Sequence, residues 1–394
     1  MIALTADRLL TELDPPLDEI VRPLLLIEDG RIADVASQLE REIPARARRV
    51  DLPGAVLAPG FVDIHTHGAA GHDVMQSDAA GLSAIAGLLA KHGVTSYFPT
   101  TVTAPDDATL RALAALADAI ELAAGDGDPA ARPAGARPLG IHLEGPFLSH
   151  ARRGVHPPED LREPTLARFD RFWQAARGDI KMMTIAPELP GALEVIAEAA
   201  RRGVCVSLGH SDADFAATLR GIEAGGRHAT HTFNAMRALG HRDPGILGAV
   251  LTDTRISADI IADGIHSDPA IVRMFLKLKG AEQSVLITDG MAATGMPDGR
   301  YRLGPLEVEV KDGRCTSNGS LAGSVLTMDQ AVRNVMEFAG WCLASAVRLA
   351  TRNPAKAAGI SGQTGTLMPG ATADIVVMNP AGEVLQTILG GRIA

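Results

Sequence analysis

Cysteine is scarce in this chain. Its three cysteines, Cys205, Cys315 and Cys342, are each isolated in an apolar or glycine-rich setting, and none forms a CxxC pair. That spacing argues against a disulfide framework and predicts buried thiols in a reducing compartment. Positive charge is also in short supply. Lys and Arg number 37 against 47 Asp and Glu, a formal net charge of -10. Such a balance argues against nucleic acid or an anionic membrane as partner, while leaving room for a local basic pocket around a small anion. No run of about 18 uninterrupted apolar residues occurs, so no membrane span is expected. The opening residues MIALTADRLL have no basic segment leading into a long apolar run, so no signal peptide is expected. No internal repeat and no glycine-rich phosphate loop is present. Together these absences predict a soluble cytoplasmic protein.

What is present is a long chain able to bury a large core, 394 residues at 46% hydrophobic. Its middle alternates strand and helix signals. Candidate strands, apolar and β-branched and closed by Gly, Pro or polar residues, span 61–67, 96–100, 139–145, 180–187, 204–211, 228–234, 256–263 and 284–290. Helical patterns lie between them, such as Leu82, Ile85, Leu88 and Leu89 stopped by Gly93, or Leu193, Ile196, Ala197 and Ala200 stopped by Gly203. The alternation predicts an α/β protein, a (β/α)8 TIM-like barrel over residues 58–359. Residues 1–57 and 360–394 read differently, as short alternating runs with turns such as Asp29-Gly30 and Pro369-Gly370. Both ends are too short for separate cores. They are expected to pair into one small β-sandwich domain beside the barrel. The Pro/Gly/Ala-rich stretch 125–138 reads as a surface loop.

The chemistry clusters where those strands end. His65-Thr66-His67 places two imidazoles at i and i+2, on one face of a strand, where both can reach one ion. His142-Leu143-Glu144-Gly145-Pro146 would hold a carboxylate at a strand end, although a solvated glutamate is the plain alternative. His210 and His231 each end a strand after small residues. Either alone is more often a hydrogen-bonded histidine than a ligand, but with Glu144 they complete a set. A glutamate with two histidines and an open position for water is a catalytic zinc arrangement, and His65 with His67 is placed to hold a second cation. Asp289 closes the last strand, Val285-Leu286-Ile287-Thr288, within reach of an activated water as a general base, or else it caps the following helix.

These motifs resemble the amidohydrolase superfamily and, within it, the N-acetylglucosamine-6-phosphate deacetylase family. The likeness runs from Pro59-Gly60-Phe61 through His142–Pro146, Gly154-Val155-His156, His231–Met236, Ala262–His266 and Leu321–Met328 to the closing residues 365–391. Related amidohydrolases bridge two metals with a carbamylated lysine on strand 4. Here that strand carries Lys181 at its start, and Glu144 resembles the deacetylases' substitute. The resemblance implies one or two divalent metals per chain, with zinc expected first and Fe, Mn or Co able to serve the same ligands. It implies Glu144, His210 and His231 as principal ligands and His65 and His67 for a second ion. Asp289 would be the acid/base, and His156 would polarise the acetyl carbonyl. Val155, Asn234, Ala235, the turn of Asp263, Gly264, Ile265 and His266, and the loop of Leu321, Ala322, Gly323 and Ser324 would line the pocket for a small phosphorylated amino sugar. His266 and Arg242 would meet its phosphate, with Arg242 supplied by the neighbouring subunit of a homodimer. The family usually has Ala after the catalytic Asp, where this chain has Gly290. Rival readings are a galactosamine-specific deacetylase, another amidohydrolase acting on an N-acyl or cyclic amide, and a barrel kept as a non-catalytic scaffold.

Overall fold

The computed structural model describes residues 1–11, 19–124 and 134–393. Residues 125–133 of the expected loop lie outside the described residues, and its last two, Arg137 and Pro138, pair in parallel with Ser96 and Tyr97.

The centre of the chain is mixed α/β. Parallel strands β1 (Phe61–Thr66), β2 (Val94–Pro99), β3 (Ile141–Glu144), β4 (Ile180–Ile185), β5 (Cys205–Leu208), β6 (Gly226–Ala229), β7 (Ala258–Ile261) and β8 (Ser284–Ile287) alternate with helices. β1 pairs with β2, β3 through β6 pair in order, and β7 pairs with β8, all in parallel. Single contacts join the remaining neighbours. Thr100 bridges His142, and Thr66 bridges Gly290. Ser257 N–H donates to Arg227 O at 2.9 Å, and Asp289 N–H donates to His65 O at 3.0 Å. Each strand thus lies beside the next in the chain, and the last beside the first. Their apolar residues, such as Val62, Ile64, Leu143, Met183, Val206, Ile260 and Leu286, are fully buried against the helices.

Several helices begin where an acceptor side chain satisfies a free N–H. Asp78 caps Ala79–Lys91, Thr165 caps Leu166–Ala175, and Asp214 caps Phe215–Ala224. Gly93 and Gly203, the expected stops, take left-handed φ of 85° and 82° just past Ala79–Lys91 and Ala192–Arg201.

The two chain ends do pair with each other. Where a two-sheet sandwich was expected, they form one continuous sheet that runs Arg392–Ile393, Val384–Leu389, Ile375–Met378, Arg48–Pro59, Ile2–Leu10, Pro23–Glu28, Arg31–Ser37. Its inner side is apolar, built on Leu4, Leu25, Ile32, Leu57, Ile375, Val377 and Ile388. The strand Arg48–Pro59 crosses the expected boundary at 57/58 and leads into β1 through Gly60 alone. A Cβ on Gly60 would lie 2.2 Å from the Thr95 side chain, so only glycine fits that junction.

Two features depart from the sequence reading. A four-stranded antiparallel sheet, Gly299–Leu303, Leu306–Lys311, Arg314–Ser317 and Ser320–Leu321, follows β8 and packs Leu303, Val308, Val310 and Cys315 on Met291, Ala292 and Val102. In addition, Cys342 is exposed, Cys205 is half-buried, and only Cys315 is the buried thiol expected of all three.

Candidate metal and hydrolytic centre

Three strands stop two residues short of the side chains they carry to the site. β5 ends at Leu208, β6 at Ala229 and β8 at Ile287, and His210, His231 and Asp289 follow with φ of 45°, 29° and 49°. Left-handed backbone is uncommon for residues with a Cβ and concentrates at functional sites. Here it turns three polar side chains inward over the strand ends, where a continuing strand would carry them onward.

Glu144, at the end of β3, is 2% exposed and stands between two groups of imidazoles. Its Oε1 lies 3.3 Å from His210 Nε2 and 3.2 Å from His231 Nε2. Its Oε2 lies 3.5 Å from His65 Nε2 and 3.4 Å from His67 Nε2. Asp289 Oδ1 faces the second group, 3.1 Å from His67 Nε2 and 3.5 Å from His65 Nε2. Within each group the ring nitrogens approach one another closely: 3.0 Å for His231 and His210, 3.2 Å for His65 and His67. Two carboxylates and four imidazoles, all buried, therefore converge.

The surrounding bonds orient the rings. His67 Nδ1 donates to Thr100 O at 3.0 Å, and His210 Nδ1 donates to Arg152 O at 3.0 Å, which leaves each Nε2 lone pair pointing into the cluster. This outer arrangement is the one by which proteins fix metal-binding histidines. Both His65 Nδ1 and His231 Nδ1 are buried without a partner among the described residues. His142, from the same motif as Glu144, is turned away. Its Nδ1 donates to Ile64 O and its Nε2 takes the Thr184 hydroxyl at 2.8 Å. Lys181 donates to Gly178 O at the far end of β4, so no lysine reaches the cluster from that strand.

His156 is the exception that suits a different task. Thr103 N–H donates to its Nδ1 at 3.3 Å, so the neutral ring carries its hydrogen on Nε2, 3.8 Å from Glu144 Oε2. Burial first, and then the neighbouring His210, push its pKa down to about 3, so the ring stays neutral. In that tautomer the ring presents an inward N–H donor, and with Glu144 and His210 it also forms a buried group whose atoms lie close enough together to hold a metal ion. The carboxylates behave oppositely. Burial opposes their ionisation, but His65 and the hydrogen-bonded imidazoles hold both Glu144 and Asp289 below the ordinary range. Against the cost of burial, the same carboxylates push His67 up to about 10 and His231 to about 9. The cluster thus draws positive charge, which protons or a divalent cation can supply. Its donor set of imidazole and carboxylate fits zinc and similar ions.

Of the expected pocket residues, Gly323 and Ser324 contact Asp289, and Val155 adjoins His156. A Cβ at Gly154 would lie 3.3 Å from His210 Cε1. Asn234 presents a buried Nδ2 that no described group satisfies, and Ala235 has φ of 51°. Asp263 gathers its own turn, accepting the N–H groups of Ile265 at 2.8 Å and His266 at 2.7 Å and holding His266 Nδ1 at 2.7 Å. Gly264 is exposed. Leu321 and Ala322 close the added antiparallel sheet. Gly323, at φ of 63°, lies against Met291 and Asp289 O. Ser324 is fully engaged: its N–H donates to Asp289 O at 2.7 Å and its hydroxyl to Thr288 O at 2.6 Å. It braces the Asp289 turn. Arg242 is exposed and makes no ion pair among the described residues, and the adjacent Asp243 pairs with Arg237 at 2.6 Å.

Sequence reasoning missed the groups that hold these residues in place. Asp63 is fully buried between β1 and β8, accepting the Thr288 hydroxyl at 2.5 Å and the His65 N–H at 3.2 Å. Asp259 on β7 accepts the His231 N–H. An acid set between apolar neighbours, Val62 and Ile64 or Ala258 and Ile260, was the available signal for both.

Residues 56–394 match the family model described as the amidohydrolase family. The chain belongs to that family. Among curated relatives it is 39% identical to the N-acetylgalactosamine-6-phosphate deacetylase of Escherichia coli O157:H7, covering 94% of this chain and 97% of that protein. It is 36% identical to the N-acetylglucosamine-6-phosphate deacetylase of Bacillus subtilis strain 168, covering 93% and 91% of the two chains. Among solved structures, the N-acetyl-D-glucosamine-6-phosphate deacetylase of Mycobacterium smegmatis superposes with a TM-score of 0.90 at 36% identity, covering 100% of both chains.

Proposed function

We propose that the chain is a metal-dependent hydrolase that removes the acetyl group from N-acetyl-D-glucosamine 6-phosphate, releasing acetate and D-glucosamine 6-phosphate. The observation that carries this reading is Glu144, whose two oxygens each face a separate pair of imidazoles with Asp289 alongside. Glu144, His210 and His231 would hold the principal ion, with His65 and His67 for a second. The eight parallel strands and the likeness to the mycobacterial enzyme support a (β/α)8 barrel over 58–359 with a small domain from 1–57 and 360–394.

Bound there, a divalent ion supplies Lewis-acid polarisation of the amide carbonyl and makes water more acidic. The protein groups perform the rest. Asp289 takes a proton from the attacking water as its oxygen bonds to the carbonyl carbon. When the C–N bond breaks, Asp289 returns that proton to the departing amine. The inward Nε2–H of His156 donates to the carbonyl oxygen as charge collects there, a preorganised contact worth most in a water-poor site. Asn234, Ala235, Val155 and the Asp263–His266 and Leu321–Ser324 segments line the sugar's place.

His266 and Arg242 are proposed to bind the phosphate. Arg242 is exposed on a turn-rich stretch just before Gly245–Thr252, free to reach into a second copy of the chain. Two-fold dimers exchange such loops reciprocally. No helix among the described residues is long and apolar enough to cross a membrane. A cytoplasmic location suits a substrate whose phosphate dianion does not cross a bilayer unaided.

Acetate release is the deciding assay, run on N-acetylglucosamine 6-phosphate, its C4 epimer and the unphosphorylated sugar. The reading expects the highest kcat/KM on the gluco phosphate. Faster turnover of the epimer would reassign the sugar, and no acetate from any of them would end the proposal. Arg242→Ala should cost roughly 2–5 kcal/mol in kcat/KM on the phosphorylated sugar alone. Mixing Arg242→Ala with Asp289→Asn chains should restore activity at one site of each mixed dimer.

A further inference from the structure

Asp259 performs two tasks at once beneath the site. It is fully buried on β7, where the other residues Ala258, Ile260 and Ile261 are apolar. Its Oδ1 accepts the main-chain N–H of His231, and its own carbonyl accepts the N–H of Thr232 at 2.9 Å. Its Oδ2 meets Nε2 of buried His228 at 2.9 Å. Nδ1 of His228 lies 2.7 Å from Ser257 Oγ, and that hydroxyl donates its one hydrogen to Arg227 O at 3.1 Å. Ser257 can therefore only accept from His228, whose Nδ1 is the donor on that side. The chain of bonds from Arg227 O through Ser257, His228 and Asp259 to the His231 N–H is complete.

This chain lies at one of the joints where the parallel strands lack a continuous ladder. β6 and β7 belong to separate ladders and are joined by isolated bonds. His231 follows β6 with φ of 29°, a conformation that persists in a residue with a Cβ only where its surroundings over-determine it. The Asp259 carboxylate takes the one N–H that this turn removes from any ladder.

We infer that Asp259 is a positioning residue for His231, holding the backbone turn that aims His231 Nε2 at Glu144 and His210 and so setting how tightly the site retains a divalent cation. The inference rests on the metal-dependent reading above. It also makes a particular demand of substitutions. Asparagine can keep both bonds, since its oxygen accepts from His231 and its amide donates to His228 Nε2, while alanine keeps neither.

Retention of Zn²⁺ by the purified full chain against graded chelator, measured beside thermal unfolding, tests this. Loss of such an outer partner typically weakens metal binding about 10–100-fold. Asp259→Ala should therefore release Zn²⁺ at a chelator level at least about tenfold lower than wild type, and Asp259→Asn should stay close to wild type. Asp374→Ala, which removes a buried acid paired with Arg137 away from the site, should unfold earlier yet retain Zn²⁺ normally. Wild-type retention by Asp259→Ala, equal loss in Asp259→Asn, or equal loss in Asp374→Ala would each overturn the inference. Should Asp259→Ala fail to fold, Asp259→Leu carries the same test, because an aliphatic chain of similar size fills the space yet bonds neither His231 nor His228. A wild-type chain that holds no cation would overturn the metal reading, and this inference with it.

Discussion

The ends of the parallel strands and the sheet made by the two chain ends bury opposite kinds of side chain. Inside the end sheet lie Leu4, Leu25, Ile32, Leu57, Ile375, Val377 and Ile388. At the ends of the parallel strands lie His65, His67, Glu144, His210, His231 and Asp289, every one buried. Apolar burial stabilises on its own account, whereas a buried charge costs free energy unless paired. Asp63 shows that cost, since burial above all pushes its pKa up to about 6 despite its bonds to Thr288 and His65. The end sheet thus gains stability from what it buries, while the strand ends accept an electrostatic penalty that only chemistry explains.

The comparison breaks if residues in the two regions can be exchanged in effect. The largest expected effect is Asp289→Asn, which should lower kcat at least about 10²-fold, the scale of a positioned acid/base, while metal content and unfolding temperature hold. Retained turnover in the metal-replete variant would move the proton transfer to another group. Leu25→Ala, in the end sheet, should do the reverse. It should cost about 2–5 kcal/mol in urea unfolding, with kcat/KM unchanged for the folded fraction.

A smaller effect sharpens the rule, because not every buried charge marks the site. Asp329 has a side chain 10% exposed, and His92 and Arg333 pair with it. Burial raises its pKa, but bonds from His92 and Thr327 and the nearby Arg333 outweigh that and bring it down to about 2. A depressed carboxylate contributes stability above its unfolded pKa, near 4, and loses it as pH falls through about 2. Asp329→Asn should therefore cost about 2 kcal/mol at pH 7, with the gap to wild type closing between pH 4 and 2 and no change in kcat. Smallest of all is Gly290→Ala. The added Cβ would lie 3.1 Å from both Thr288 Oγ1 and Thr294 Oγ1, so crowding offsets the entropic gain and stability should move by less than about 1 kcal/mol. A larger fall in unfolding temperature would show that the turn has no room to give.

The same contrast explains what the sequence made legible. His-x-His, Glu144, His210, His231 and Asp289 were readable because each stands where an apolar run gives way to small, polar or turn residues. The pairing of the two chain ends was readable because neither end could form a core alone. The strand ends were not, because periodicity continues through residues whose backbone has already turned left-handed, as at His210, His231 and Asp289. Nor were the partners. Thr103 lies 53 residues from the His156 ring it orients, and Asp259 lies 28 residues from His231, separations no local pattern spans. The added sheet at 299–321 was missed because its short strands alternate exposed and buried residues beyond the last expected barrel strand.

The most direct measurement of the account is metal content per folded chain, by elemental analysis, in wild type and Glu144→Gln. Wild type should carry between about one and two divalent ions, and its deacetylation should fall with chelation and return with metal. Glu144→Gln should remain folded and lose most of both. A wild-type chain free of metal and indifferent to chelator, or a Glu144→Gln chain with wild-type metal and turnover, would contradict it.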